Sequence, residues 1–559
     1  MGKLDHTKGK SRGLRVYFAI SIVVCLGFAA VIFLTDSSTL PIKPWIKPAH
    51  IRSYSVRPKE VQDNPTSGDS HPKSLIPKDA GPIKISVSLV SPTRDAIKVG
   101  DMLHFLITCT HEDGTLLGLG GGLWYATLSS KSNPKASTAG KIVDHNNGTY
   151  SVFVFAAWAG QGTIVVRRVL SSEAVNFMLN TVWPAEDRVV WRGLFKVPGA
   201  KGKLSSGLCR LSRRGNWTGK CVYPNKKALG KTVFLCDKPR GVNCSTLYAT
   251  KSDSRRISAR MRELSRGKED LFQRAKLKPM IQLLDPTVKI SGAGAGAVAD
   301  PPLPRCLPDM QLPVSQGFWL EDKWHSLLCD IKDWTEKSNL TSCLRGKTVL
   351  LFGDSTTRQW FVHILDLMDR KFVGRLDDFP FFWHRYYKDI DLSITISFPK
   401  ELVGSATVEL GKVFYEHDLI DKLNDTRCNY VIMVSPWAHF SQWTRESYTE
   451  RTQLLREALI RLRRRCPETK IVLKGPHPRD QKDFDAKIYC SDVILKGIGE
   501  INQRLLGGIG VWFLPIWDIN LAFPGRKTIH MPVTVIHEEV KLFFSYVCGD
   551  SKMPPLKAP

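Results

Sequence analysis

The residues of this chain best placed to do chemistry stand at Gly353-Asp354-Ser355. An apolar run, KTVLLF (347–352), leads into them. A helix-period stretch, RQWFVHILDLMDR (358–370), follows after two threonines. A glycine lets the chain turn sharply at a strand end. Ser355 is thereby carried to the C-terminal edge of a sheet and to a helix N-terminus, where backbone N–H groups can stabilise an oxyanion. Such a serine becomes a nucleophile when a base from elsewhere in the fold reaches it. Its plainer role is a helix N-cap, with Gly353 serving only the turn. No Gly-rich phosphate loop, metal-ligand cluster or dinucleotide fingerprint competes with this motif, so no metal and no resident cofactor are expected.

Positioning such a serine needs a parallel sheet. From Cys306 the short apolar runs KTVLLF, YVIMV (430–434), KIVLK (470–474) and GVWFL (510–514) alternate with helical stretches, including ESYTERTQLLREALIRLRRR (446–465). That alternation implies an α/β domain over 306–559 with both sheet faces covered. Residues 83–186 read instead as an immunoglobulin-like β-sandwich. IKISVSLV, MLHFLITCT, LWYATLS, GTYSVFVFA and GTIVVRRVL are short alternating strands divided by turn residues. Residues 187–305 form a Cys-rich and basic linker region. Cys209, Cys221, Cys236 and Cys244 suggest disulfide staples, and their spacing repeats no zinc-ligand pair. Within it, 251–278 reads as a basic helical face, and the glycines and alanines after Ser291 mark a boundary.

Charge and the first forty residues fix the surroundings in which this chemistry would run. Lys and Arg number 80 against 53 Asp and Glu, a net charge of +27, which favours an acidic partner. Val16–Leu34 is an uncharged apolar run of bilayer-spanning length behind a basic tail at 1–15, so a type II signal anchor is expected, with a Pro-rich stalk at 35–82. Cleavage after the run, giving a secreted or cell-surface protein, is the alternative. Everything beyond the anchor would face the secretory lumen. Asn147, Asn216, Asn243, Asn339 and Asn424 then stand in glycosylation sequons, and the 12 cysteines beyond Cys25 suit disulfides. A lumenal address makes nucleic acid a poor partner and an anionic glycan or glycoprotein a good one.

GDSTTRQW after KTVLLF, with GFWLEDKW (317–324) upstream, resembles the PC-esterase domain, which has an SGNH-hydrolase-like fold and a GDS nucleophile. The preceding sandwich, DRVVWRGLF (187–195), the Cys-rich segment and KLFFSYVC (541–548) together resemble the neurexophilin and PC-esterase domain (NXPE) family from about residue 83 onward. The resemblance implies a Golgi or secreted glycoprotein. It also implies O-acetyl transfer to, or removal from, sugar hydroxyls, with acetyl-CoA or another acyl donor as co-substrate.

By that resemblance Ser355 is the nucleophile, Gly353 and Asp354 complete its motif, and the late catalytic histidine is His530. PC-esterases usually carry Asp three residues before that histidine, and here Lys527 stands there. Asp518 is the nearest upstream carboxylate and the candidate to orient the imidazole. Related enzymes often place an Asn oxyanion donor just after the strand that matches YVIMV. This chain has Ser435-Pro-Trp-Ala-His-Phe440, leaving His439 or the Trp437 indole as substitutes. Arg358 could pair an anionic acceptor, such as a sialic acid carboxylate, or make an ordinary salt bridge. His477, in Gly-Pro-His-Pro after a buried strand, ranks lower. The rival to an enzyme is a binding or signalling glycoprotein whose hydrolase fold has lost activity. An enzyme is expected to act without residues 83–180.

Overall fold

The structure is a computed structural model and describes residues 83–549, except 214, 224–230, 274–280, 284–286, 293–302, 373–381, 399–406, 412–413, 425 and 482. The expected membrane anchor and stalk lie outside the described residues.

Period-two burial builds the first module. In Met102–Thr110, Leu103, Phe105, Ile107 and Cys109 are buried and the residues between them are not. Lys84–Ser91, Leu123–Ser130, Ser137–Asp144, Thr149–Phe155 and Gly160–Leu170 join it, and the expected sandwich is hydrogen-bonded as one continuous, mainly antiparallel sheet whose core includes Trp124, Val152 and Ile164. Ser137–Asp144 escaped the sequence reading because small residues fill it. A side chain at Gly140 would press on Ala126 and Val152. Thr287–Ile290 pairs antiparallel with the start of Gly160–Leu170, so chain from beyond residue 186 completes the sandwich.

Residues 187–305 are more ordered than expected. Val189–Lys196, Leu204–Ser212, Lys220–Tyr223, Val233–Asp237 and Leu247–Ile257 form a second sheet, with Thr407–Glu409 added at its edge. Cys209–Cys236 and Cys221–Cys244 staple it. The stretch read as a basic helical face is strand as far as Ile257, then two short helices, Ala259–Ser265 and Glu269–Gln273. Three further disulfides, Cys306–Cys329, Cys343–Cys548 and Cys428–Cys466, lie in the C-terminal region. The even cysteine count does not end in full pairing. Cys109 and Cys490 are free and buried.

The C-terminal region is α/β. Its sheet runs Phe382–Tyr387, Leu392–Ser397, Thr348–Phe352, Tyr430–Val434, Lys470–Leu473, Val511–Phe513, and every pair but the first is parallel. The parallel strands therefore lie in the order 2-1-3-4-5, with the switch point between Thr348–Phe352 and Tyr430–Val434. Both faces are covered. Val349, Leu351, Val431 and Met433 pack with helices Ser355–Leu367 and Val533–Val547, while Leu350, Phe352, Ile432 and Val434 pack with Arg445–Arg465.

One apolar core crosses the modules. Leu123, Tyr125 and Leu170 of the sandwich, Trp191 and Phe234 of the second sheet, and Trp360 and Phe543 of the α/β domain belong to it. Removing residues 83–180 would strip one wall of that core. The expectation that the α/β domain acts without them does not fit this packing.

Candidate active site

Ser355 opens the helix Ser355–Leu367 directly after the strand Thr348–Phe352, at the switch point of the sheet. Gly353 is required there. A Cβ at 353 would collide with the Thr357 hydroxyl and come within 3.0 Å of the Ser435 Cβ. Asp354, 2% exposed, is the helix N-cap. Its Oδ1 accepts from the Thr356 N–H at 2.8 Å and its Oδ2 from the Ala438 N–H at 3.1 Å. One carboxylate thus clamps the loops that leave the two strands flanking the switch point. The Ser355 N–H remains among the first-turn donors that a helix cannot satisfy internally, and it is the oxyanion donor this turn offers.

His530 reaches the serine from 175 residues away, its Nε2 lying 2.8 Å from Ser355 Oγ. Gln359, on the nucleophile helix, donates its side-chain amide to the Met531 carbonyl at 3.0 Å. The buried ring of His477 touches the carbonyl of Ile529, and Lys527 donates its N–H to Asp480 Oδ2 at 3.0 Å. The loop that carries His530 is therefore anchored on both sides of the histidine. His477 donates its Nδ1–H to the Pro478 carbonyl, 3.1 Å away, and meets Trp437 edge-on at 4.8 Å. Burial drives its pKa down to about 3, so the ring is neutral.

The His530 pKa is also lowered, chiefly by desolvation. Asp354 opposes that shift, and Arg358, Arg479 and His439 add to it. An imidazole kept neutral beside a serine hydroxyl is a competent base. Arg358 and His530 line a pocket of about 350 Å³ with Gln359, Val362, His363, Asp366, Val533 and Ile536. Apolar side chains share that lining with one guanidinium and one carboxylate, a combination that suits an acyl donor or a sugar ring with polar groups.

Two expected roles, those of Asp518 and Trp437, meet a different geometry. Asp518 is not at His530; it accepts from the Gln316 backbone and lies near Lys141 and Lys496, and desolvation pushes its carboxyl up to about 6. Among the described residues no carboxylate hydrogen-bonds the His530 ring, so serine and histidine stand as a pair. Lys527 does not replace the missing Asp functionally, since its Nζ donates to the Phe523 carbonyl at 2.7 Å. Trp437 is fully buried and its indole nitrogen has no partner and no access to the pocket. His439 is near enough to act on His530 through its charge.

Sequence reasoning missed Gln359, Arg479 and Lys474. Lys474, 1% exposed, ends the strand run KIVLK, donates to Thr356 Oγ1 at 3.2 Å and lies between the rings of Trp360 and Trp437. A lysine closing a buried strand on the serine's edge of the sheet was the available signal. The five sequon asparagines are all exposed. Asn147, Asn216 and Asn243 each accept from a backbone N–H two residues on.

Two family models match the chain. The one described as NXPE family member 4-like, C-terminal domain, matches residues 324–548. The one described as Neurexophilin matches residues 119–264. Together the two matches support assignment of the chain to the NXPE family. The first contains both Ser355 and His530. The second runs from the sandwich into the disulfide-stapled sheet, across the division expected at residue 186.

Proposed function

We propose that this NXPE chain is a lumenal O-acyltransferase or esterase of the PC-esterase kind, with an SGNH-type Ser–His site acting on anionic glycans. The observation that carries the reading is the 2.8 Å contact between Ser355 Oγ and His530 Nε2 at the switch point of a parallel sheet. With its proton on Nδ1, His530 accepts the Ser355 proton at Nε2 while Oγ attacks the carbonyl carbon of an acyl ester or thioester. The Ser355 N–H and the positive end of its helix stabilise the tetrahedral oxyanion. On collapse, the protonated His530 gives its proton to the departing alkoxide or thiolate, leaving acyl-Ser355. A sugar hydroxyl, or water in an esterase, then loses its proton to His530 and takes the acyl group. Serine–histidine pairs retain part of a triad's activity without the carboxylate.

The +27 charge of the chain supports an anionic acceptor. The proposal includes a type II Golgi location and acetyl-CoA or another acyl donor as co-substrate.

Among the described residues no carboxylate bonds the imidazole, which favours a second reading, a binding or signalling glycoprotein that has lost activity, and the neurexophilin match also suits it. Mass analysis of sialylated glycans released from cells expressing the wild type or Ser355→Ala separates the two. An acetyl-sized gain confined to the wild type supports the transferase, and a loss supports the esterase. No difference between two correctly localised proteins overturns the catalytic reading for that glycan class.

A further inference from the structure

A second cleft, of about 340 Å³, lies where the sandwich meets the α/β domain. We infer that it binds the anionic group, carboxylate or sulfate ester, of the acceptor glycan, with Arg167 and Arg479 as the principal contacts. The inference rests on the acceptor class proposed above and assigns part of substrate recognition to the sandwich.

Charge and geometry carry it. Arg167 and Arg168 line the cleft from the sandwich strand Gly160–Leu170, and Arg479 and Lys487 line it from the α/β domain. The carboxylates in its wall, Asp480 and Asp492, are already engaged. Asp480 Oδ2 accepts from the Lys527 N–H at 3.0 Å, and Asp492 accepts from the Tyr125 hydroxyl at 2.6 Å and the Arg479 N–H at 3.1 Å. Four cations stand against these two carboxylates; of the four, Lys487 also donates to the Phe272 carbonyl at 3.2 Å and Arg479 also interacts with Cys490 and Asp492. The Arg167 side chain is 52% exposed and meets Asp480 through one contact of 3.3 Å. Such a half-solvated pair contributes little, so a ligand anion can recruit the guanidinium at small cost. Guanidinium forks match planar carboxylate and sulfate oxygens better than a point charge does. The helix Asp492–Leu506 begins beside the cleft with Ser491 as its N-cap, and its positive end adds to the field.

The cleft is also tied to the catalytic histidine. The Asp480 N–H donates to the Lys527 carbonyl at 2.9 Å, so the cleft wall and the His530 loop share a rung. An acceptor anchored by its anionic group thus rests against the loop that delivers the base.

The test is direct binding, measured by calorimetry at low and moderate salt on the full-length protein carrying Ser355→Ala, so that no turnover intervenes. The probes are sialyllactose, lactose sulfate and lactose. We expect the charged probes to bind about tenfold or more tightly than lactose, with a preference that salt weakens, and the better of the two identifies carboxylate or sulfate. Arg167→Glu, at an exposed position, and Arg479→Lys should each erase most of that preference while leaving lactose binding unchanged. A preference that survives both substitutions, or none in the parent, overturns the site. Charge-selective binding lost in these variants, in a protein without acyl activity, upholds the site and removes the catalytic reading. Ser355-dependent activity whose KM ignores acceptor charge does the reverse.

Discussion

The chemistry at the residue scale depends on keeping one imidazole neutral. His530 has an ordinary partner, Ser355, and a cationic neighbourhood, Arg358 and Arg479. Desolvation first, and this positive charge second, disfavour the imidazolium, so the base form persists to a lower pH than a solvent-exposed histidine would allow. Replacing Arg358 with Met removes one such charge and should raise the His530 pKa, moving the acid limb of kcat/KM to higher pH. A limb that stays in place or moves to lower pH would show that Arg358 does not act on the base. His530→Ala, read alongside it, should lower the acyl-transfer rate by roughly 10²–10⁴-fold, the usual worth of a general base.

Two loops and one carboxylate set the geometry at the scale of elements. Asp354 bonds the first turn of its own helix and the Ala438 N–H in the loop after Tyr430–Val434. Asp354→Asn keeps the shape but turns one acceptor into a donor facing an N–H. A buried hydrogen bond broken this way costs about 1–3 kcal/mol. The unfolding midpoint should fall by a few degrees and turnover should drop with it; an unchanged midpoint would dismiss the clamp. The nucleophile turn was legible because strand, glycine and helix are consecutive, and the 430–434 and 446–465 elements were legible through their apolar periods. The Asp518 assignment failed because sequence distance was its only guide. Asp518 lies in a helix, Ile516–Ala522, that turns towards the sandwich, and only the tertiary arrangement shows it beside Lys141. The roles of Gln359 and His477 were likewise invisible, since each acts on a loop far along the chain. Trp437 was read as a possible donor, yet burial of its whole ring makes it packing for His477 and Lys474.

The seam between sandwich and α/β domain sets the behaviour of the whole molecule. Tyr125 reaches Asp492 across it, and Asp518 stands near Lys141 from one side and Lys496 from the other. Desolvation raises both carboxyls to about 6, against an ordinary value of 3.8. A carboxyl whose folded pKa lies above its unfolded one contributes stability that is complete below the unfolded value and is lost as pH rises through the folded value. The seam should therefore tighten as pH falls from 7 towards 4, by up to roughly 1.4 kcal/mol per pH unit for each group. Buried His477 works in the opposite direction, since its folded pKa of about 3 lies below the ordinary 6.5 and stability is lost as pH falls between them. Asp518→Asn isolates one arm of this balance. The amide is neutral at every pH and can still accept from the Gln316 backbone, so the variant should melt higher than the wild type at pH 7 and converge with it near pH 4. Its acyl-transfer rate should stay within about twofold of wild type, because Asp518 does not touch His530. A collapse of activity without loss of stability would instead return Asp518 to the catalytic machinery and require the seam to move.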